Sequence, residues 1–365
     1  MINIPHEYIR SKITDAIALG ASDLHIQTLD DSLFFTAHVD QFRHVLGEIK
    51  ENKDMYFKEI KKFFNFKMGM LGQIDDQRTS LKEFGYDFRG VIYPVKNGEN
   101  ITLRLLKRDK EFSLNNYSLQ ENAKQELKKA IGKNEGLILI SGPTGSGKTT
   151  LLYSALGSLD RVKKNVLTVE DPIEYTIPFV NQTQVDKEKG ITFSSILRAY
   201  MRAKPNVIMI GEIRDEETAH AAIHAANTGH LVFSTVHAVD AKRVFDRMKD
   251  LGISEQMLQE NVLFSSAQRL IPKNCTHCLE EDKRYQHSGS KMELEKLFDE
   301  SFQIYHSKGC QNCHDGYHGM QLVFEYIFKN KKSQKNFEMS ENIYSQIKSL
   351  LKKGTIDFEN AMNLI

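Results

Sequence analysis

With 365 residues, 40% of them hydrophobic and 27% charged, the chain has the composition of an ordinary water-soluble protein and the length for two domains with separate cores. Its formal net charge of +1 supplies no global attraction to nucleic acid or to an anionic membrane surface. No apolar run reaches the length of a membrane span, and MINIPHEYIRSK at the N-terminus lacks the apolar core of a signal peptide, so a cytosolic location is expected.

In chain order, Ile9, Ile13 and Ile17 recur every four residues and predict a helix through HEYIRSKITDAIALG, stopped by Gly20. SDLHIQTL and SLFFTAHV read as strands, and KEIKKFFNFKMGM (58–70) as a second helix. YDFRGVIYPV and NITLRLLK form a predicted hairpin turning at Asn97-Gly98-Glu99-Asn100. These elements define a small α+β domain over residues 1–107, followed by a polar linker over 108–118. Beyond it, GLILIS, KNVLTVE, PNVIMIG and HLVFSTV alternate with helical stretches. That pattern predicts an α/β domain over 119–365 with a parallel sheet and crossover helices.

The most informative stretch is Gly142-Pro143-Thr144-Gly145-Ser146-Gly147-Lys148-Thr149, followed by Thr150, directly after the apolar run Leu137–Ile140. Glycines let the backbone curl so that several N–H groups converge on one anion at the start of a helix. Lys148 is placed to reach the outer phosphates of a nucleotide, and the Thr149 hydroxyl to ligate Mg2+. The segment predicts binding of ATP or GTP.

Three further segments surround this loop in function. VIMIGEIRD places Glu212 at the end of an apolar strand, where it can hold Mg2+ through water or orient the attacking water. TVEDPIEY crowds Glu170, Asp171 and Glu174 together, a costly arrangement unless the acids are solvated or face a cation, and Pro172 turns the chain there. TGHLVFSTVH brackets a buried strand with His230 and His237, and His237, at the strand's C-terminal end where open parallel sheets bind ligands, is the better candidate. His220 and His224 are read as structural.

Cys275-x-x-Cys278 and Cys310-x-x-Cys313 are two knuckle-type pairs separated by 31 residues. Four thiolates on two tight turns suit a closed tetrahedral Zn2+ site of structural type, spanning about residues 272–320. His277, His287 and His314 lie close enough in sequence to replace one thiolate.

With these elements in order, the chain resembles the secretion ATPases of type II secretion and type IV pilus assembly. GPTGSGKTT, TVEDPIEY, VIMIGEIRDEETA and TGHLVFSTVHAVDA look like that family's four signature boxes, and AQRL, ASDLHIQ and NITLRLLKRD extend the match over nearly the whole chain. The resemblance implies a homo-hexameric ring of RecA-like ATPase domains, each preceded by a PAS-like domain. ATP hydrolysis would then drive an inner-membrane platform protein, with the ring on the cytoplasmic side, peripheral to the membrane through protein partners. It assigns Glu174 as general base, Glu170 as a supporting acid, Glu212 as the second-box carboxylate and His230 with His237 as the histidine-box pair. Arg78, Arg89 and Arg104 are candidates for neutralising the phosphates as arginine fingers, or for salt bridges. The cysteine pairs, generally lacking in retraction-type members, point to assembly or secretion. Set against the family pattern, the chain is expected to lack the extra N-terminal docking domain usual in extension motors, since it begins almost directly at the core. Lys204 before Pro205 and Met320 after Tyr-x-Gly also depart from the family pattern. The competing readings are a retraction or DNA-uptake motor, a non-hydrolysing nucleotide-binding scaffold, and a nucleic-acid translocase, the last opposed by the near-zero charge.

Overall fold

The computed structural model describes residues 4–39, 42–69, 72–108, 111–285, 288–330 and 337–364. The chain divides into two compact units, Met1–Lys110 and Glu111–Ile365.

The first unit runs α1 (Ile4–Ala18), β1 (Asp23–Leu29), β2 (Ser32–Val39), β3 (Phe42–Ile49), α2 (Lys53–Phe63), β4 (Asp75–Leu81), β5 (Tyr86–Val95) and β6 (Gly98–Lys107). The six strands form one antiparallel sheet in the order β3-β2-β1-β6-β5-β4. Its core combines Ile9, Ile13 and Ala16 of α1 and Ile60 of α2 with Leu24, Ile26, Phe35, Phe88 and Leu103 of the strands. Side chains alternate in burial along β1, with Leu24 and Ile26 inside and His25 and Gln27 on the opposite face. The second helix ends at Phe63, seven residues short of the expected range, because Phe64 and Phe66 are drawn into the core as a loop; Met70 lies outside the described residues. The β5–β6 turn is tighter than expected. Val95 pairs with Gly98, so Lys96 and Asn97 alone make the loop, while Glu99 and Asn100 are already in the strand.

The second unit begins with Phe112 and Leu114 in its own core, and contains α3 (Glu121–Ile131), β7 (Gly136–Ser141), α4 (Lys148–Gly157), β8 (Val166–Glu170), β9 (Asn181–Gln184), α5 (Phe193–Tyr200), β10 (Val207–Ile210), α6 (Glu216–Asn227), β11 (Leu231–Val236), α7 (Arg243–Asp250), α8 (Glu255–Asn261) and β12 (Val262–Asn274). After these come β13 (Leu279–Glu281), α9 (Gly289–Phe298), β14 (Tyr305–Ser307), β15 (Tyr317–Lys329), β16 (Phe337–Met339), α10 (Ile343–Lys352) and α11 (Phe358–Met362). An eight-stranded sheet has the order β16-β15-β12-β7-β11-β10-β8-β9; β12 through β9 are parallel, while β15 and β16 are added antiparallel at one edge. Strands β7, β8, β10 and β11 are buried along their whole length, as parallel strands covered on both faces must be. Leu127 of α3 with Leu151 and Leu156 of α4 belong to one of the cores around this sheet, and Leu197, Ala222 and Met248 of α5, α6 and α7 to another.

The stretch expected as a linker is not all solvated. A Cβ on Gly157 would lie 1.9 Å from the Phe112 carbonyl oxygen, so this segment packs directly on the end of α4. Asp109 and Lys110 lie outside the described residues.

Candidate functional site

The phosphate-type loop leaves the buried end of β7 and enters α4 through Gly147, which adopts φ +85° as the helix cap. Gly142 has φ +145°, and a Cβ there would fall 2.5 Å from the Gln268 carbonyl and 2.6 Å from Ser146 Oγ, so only glycine lets the loop lie this close to β12. Pro143, Thr144 and Gly145 are exposed, while Gly147, Lys148, Thr149 and Thr150 are half-buried. The Lys148 ammonium donates to the carbonyls of Gly142 (2.7 Å) and Pro143 (2.9 Å). Burial holds its pKa below the usual lysine value, with Arg269 adding to the effect and Glu212 and Glu174 opposing it. Lys148 thus sits in the field of both carboxylates.

Two residues outside the motif brace the loop. Gln268, fully buried on β12, donates its amide to the Ser146 carbonyl and to the Tyr117 hydroxyl (3.0 Å). Tyr117 in turn donates to the Gly147 carbonyl at 3.3 Å, and burial pushes its pKa up to about 12. Gln268 belongs to AQRL, and Tyr117 to the expected linker. Nothing in their local sequence marks them, since both act across the fold.

Glu170 ends β8 at 3% exposure. Its carboxylate accepts from Tyr153, Thr168 and Gln182, and the Tyr153 hydroxyl is held well above its usual pKa by burial and by this carboxylate. Glu170 is therefore a buried anchor of the strand end. Glu174, four residues on and past a cis Asp171–Pro172 bond, is half-buried. Glu212 follows β10 and lies 3.8 Å from His237 Nε2 and 2.6 Å from Arg214 Nε. The turn carrying it is pinned to the end of β11: Thr235 Oγ1 donates to the Gly211 carbonyl (2.7 Å), and Ile213 N–H donates to the Thr235 carbonyl (2.9 Å). Burial, then Lys148, lower the His237 pKa, with Glu212 opposing. A cleft of about 280 Å³ bordered by Asp171, Phe193, Glu212, Arg214 and Asp215 opens beside these groups. Asp215 is the N-cap of α6, accepting from Thr218 N–H at 2.8 Å.

His230 does not join this cluster. It precedes β11 while His237 follows it, and a six-residue strand at roughly 3.3 Å per residue keeps the two about 20 Å apart. Its Nδ1 is 3.0 Å from the Ala225 carbonyl, a local bond that closes the end of α6. A larger cavity of about 580 Å³ lies at this same end of the sheet, by Val166, Asn181 and Asn206, away from the loop.

In the first unit, the three candidate arginines fall in one cross-strand row: Arg78 faces Arg89, Arg89 faces Arg104, and Arg104 faces Asp23. The row continues through His38 to Arg43 at the far edge. Like charges directly opposite on paired strands are unfavourable. Here each arginine is compensated, Arg78 by Asp87 (3.2 Å), Arg89 by Asp76 (2.7 Å) and Arg104 by Asp23 (3.2 Å), while remaining 40%, 39% and 55% exposed.

The four cysteines converge, their sulfurs all within 4.8 Å of one another, with Cys275–Cys310 and Cys278–Cys313 at 3.8 Å and Cys310–Cys313 at 3.6 Å. A tetrahedron of thiolates at about 2.3 Å from Zn2+ has edges near 3.8 Å, so the donor set fits a metal ion. None is in a disulfide. His277 and His314 are exposed and outside the cluster, and His287 lies outside the described residues. Among the described residues no helix is long and apolar enough to cross a membrane.

The sequence profile described as "Type II/IV secretion system protein" matches residues 3–364. "Type II secretion system ATPase E" of Vibrio cholerae is 36% identical over 328 residues, covering 87% of this chain and 64% of that protein. "Type II secretion system protein E" of Dickeya dadantii is 35% identical with the same coverage. The chain therefore spans slightly less than two thirds of the length of these relatives. In fold it is similar to the Legionella pneumophila ATPase DotB, with TM-score 0.70 and 20% identity over 98% of this chain and 95% of that one. The profile runs through both units, and the chain belongs to the type II/IV secretion system protein family.

Proposed function

We propose that this chain is the subunit of a Mg2+-dependent, hexameric ATPase that converts ATP hydrolysis into mechanical work for type IV pilus or pseudopilus assembly or for type II secretion. The observation that carries this reading is the Gly142–Thr149 loop with Lys148 bonded into it, in the field of Glu212 and Glu174, and with His237 3.8 Å from Glu212. The loop binds the phosphates through backbone N–H groups and Lys148. Mg2+, held by the Thr149 hydroxyl and through Glu212, would draw charge from the outer phosphates. Glu174 takes the proton of the attacking water or orients it. His237, beside Glu212, is assigned the contact with the γ-phosphate, a reading supported by its position at the C-terminal end of β11. Glu170 acts at one remove, by fixing the end of β8. Arg78, Arg89 and Arg104 offer phosphate-neutralising guanidinium groups from the first unit.

The second unit is read as a RecA-like domain, supported by its parallel sheet with the loop after a central strand. The first is read as a PAS-like domain, supported by its antiparallel sheet with helices on one face. The four thiolates are assigned to Zn2+ in a closed, structural site, which favours an assembly or secretion role over retraction or DNA uptake. The intact Lys148, Thr149, Glu174 and Glu212 oppose a non-hydrolysing scaffold. The partner is read as an inner-membrane platform protein, with the ring on its cytoplasmic side.

The test is Glu174→Gln. Nucleotide affinity should stay within twofold of the parent while Mg2+-ATP turnover falls by roughly a hundredfold; unchanged turnover would reject the general-base role.

A further inference from the structure

Glu325 is a carboxylate in the middle of β15 with 2% of its surface exposed. Oε1 accepts the Ala241 N–H at 2.6 Å, and Oε2 accepts the N–H of Ile343, the first residue of α10, at 2.9 Å. Across the strand pair Glu325 faces Ala267 of β12, flanked on the same strand face by Ser265 and Arg269. The Ser265 hydroxyl donates to the Ala241 carbonyl at 2.9 Å, and the Arg269 guanidinium donates to the carbonyls of Val239 and Gln268. Three buried or half-buried polar side chains thus grip three backbone points of one short segment: the Val239 carbonyl and both polar groups of Ala241.

That segment is the exit of β11, and it begins at His237. An isolated carboxylate inside a protein is costly unless it is paired and hydrogen-bonded. An apolar residue at position 325 would leave two buried backbone N–H groups without acceptors. The charge of Arg269 beside it, and the two N–H donors, make the carboxylate the group that fits this position.

We propose that Glu325 is a positioning residue for nucleotide hydrolysis, fixing the 237–241 segment, with Arg269 and Ser265, so that His237 keeps its place beside Glu212. The proposal rests on the ATPase reading above. It also ties that segment to the start of α10, because one carboxylate serves both N–H groups.

The test is Glu325→Gln in the full chain, which keeps the volume but turns an N–H donor toward a backbone N–H. Turnover of Mg2+-ATP should fall tenfold or more, with KM and nucleotide affinity within twofold of the parent. Amide hydrogen exchange should rise at least tenfold over 238–243 and stay unchanged over β7 and the phosphate loop. Arg269→Lys, which keeps the charge but loses the fork, should show the same split and decides the matter if Glu325→Gln does not fold. Turnover within twofold of the parent in either folded variant overturns the proposal. So does an exchange increase spread evenly over the chain with turnover lost in proportion to folded protein, because that is the signature of a purely structural role. Should the parent itself bind but not hydrolyse ATP, the ATPase reading fails, and the exchange pattern alone decides whether Glu325 holds the segment.

Discussion

Gln268 donates its side-chain amide to the Ser146 carbonyl, so the strand beside β7 holds the underside of the phosphate loop. The same amide reaches the Tyr117 hydroxyl, which bonds the Gly147 carbonyl. The loop's curvature is therefore set by two residues remote in sequence as well as by its own glycines. Gln268→Ala leaves these buried partners unmet at a cost of about 1–3 kcal/mol. A lower melting temperature and weaker nucleotide binding are expected, read by thermal unfolding with and without ATP. Unchanged affinity would mean that the glycines suffice.

The arginine row makes stability and activity separable. Of the three ion pairs, Arg89–Asp76 is exposed on both sides, whereas the acids of the other two, Asp87 and Asp23, are mostly buried; an exposed pair contributes about 0–1 kcal/mol. Removing Arg89 also relieves two like-charge oppositions. Arg89→Gln should leave the melting temperature nearly unchanged while lowering turnover a hundredfold or more, within the range for lost phosphate-stabilising arginines. A fall in stability with full turnover would assign Arg89 to the sheet instead.

The cysteine cluster predicts one tightly held Zn2+ per chain by elemental analysis. Cys275→Ser or Cys310→Ser should release it and destabilise the second unit, since metal-binding energy in such knuckles is folding energy. A wild-type protein that is metal-free and equally stable would remove the metal site.

Legibility followed the range of the interactions. The loop Gly142–Thr149 and strands β7, β8, β10 and β11 were readable because a local motif and continuous apolar runs specify them. Strand β4, DDQRTSL, was not, because it is an edge strand that buries Asp75 and Thr79 rather than apolar side chains. The β12–β15 pair was equally hidden: β12 carries Ser265, Ser266 and Gln268 into full burial, a pattern that reads as polar until its partners are known. At the site, Lys148, Glu212 and His237 were visible from motif position. Tyr117, Gln268 and Glu325 were not, since each acts on backbone far away in sequence. His230 and His237 bracket β11 as their spacing implies, and the two ends of that strand serve different neighbourhoods: His230 bonds the Ala225 carbonyl, while His237 lies beside Glu212.

The most direct test of the central claim is Mg2+-ATP hydrolysis by the purified chain over a concentration series, with mass recorded by light scattering and Lys148→Ala as control. Turnover per chain should climb steeply as six-chain assemblies appear, with none from Lys148→Ala. Nucleotide binding without Lys148-dependent turnover, at concentrations where hexamers have formed, would contradict that claim.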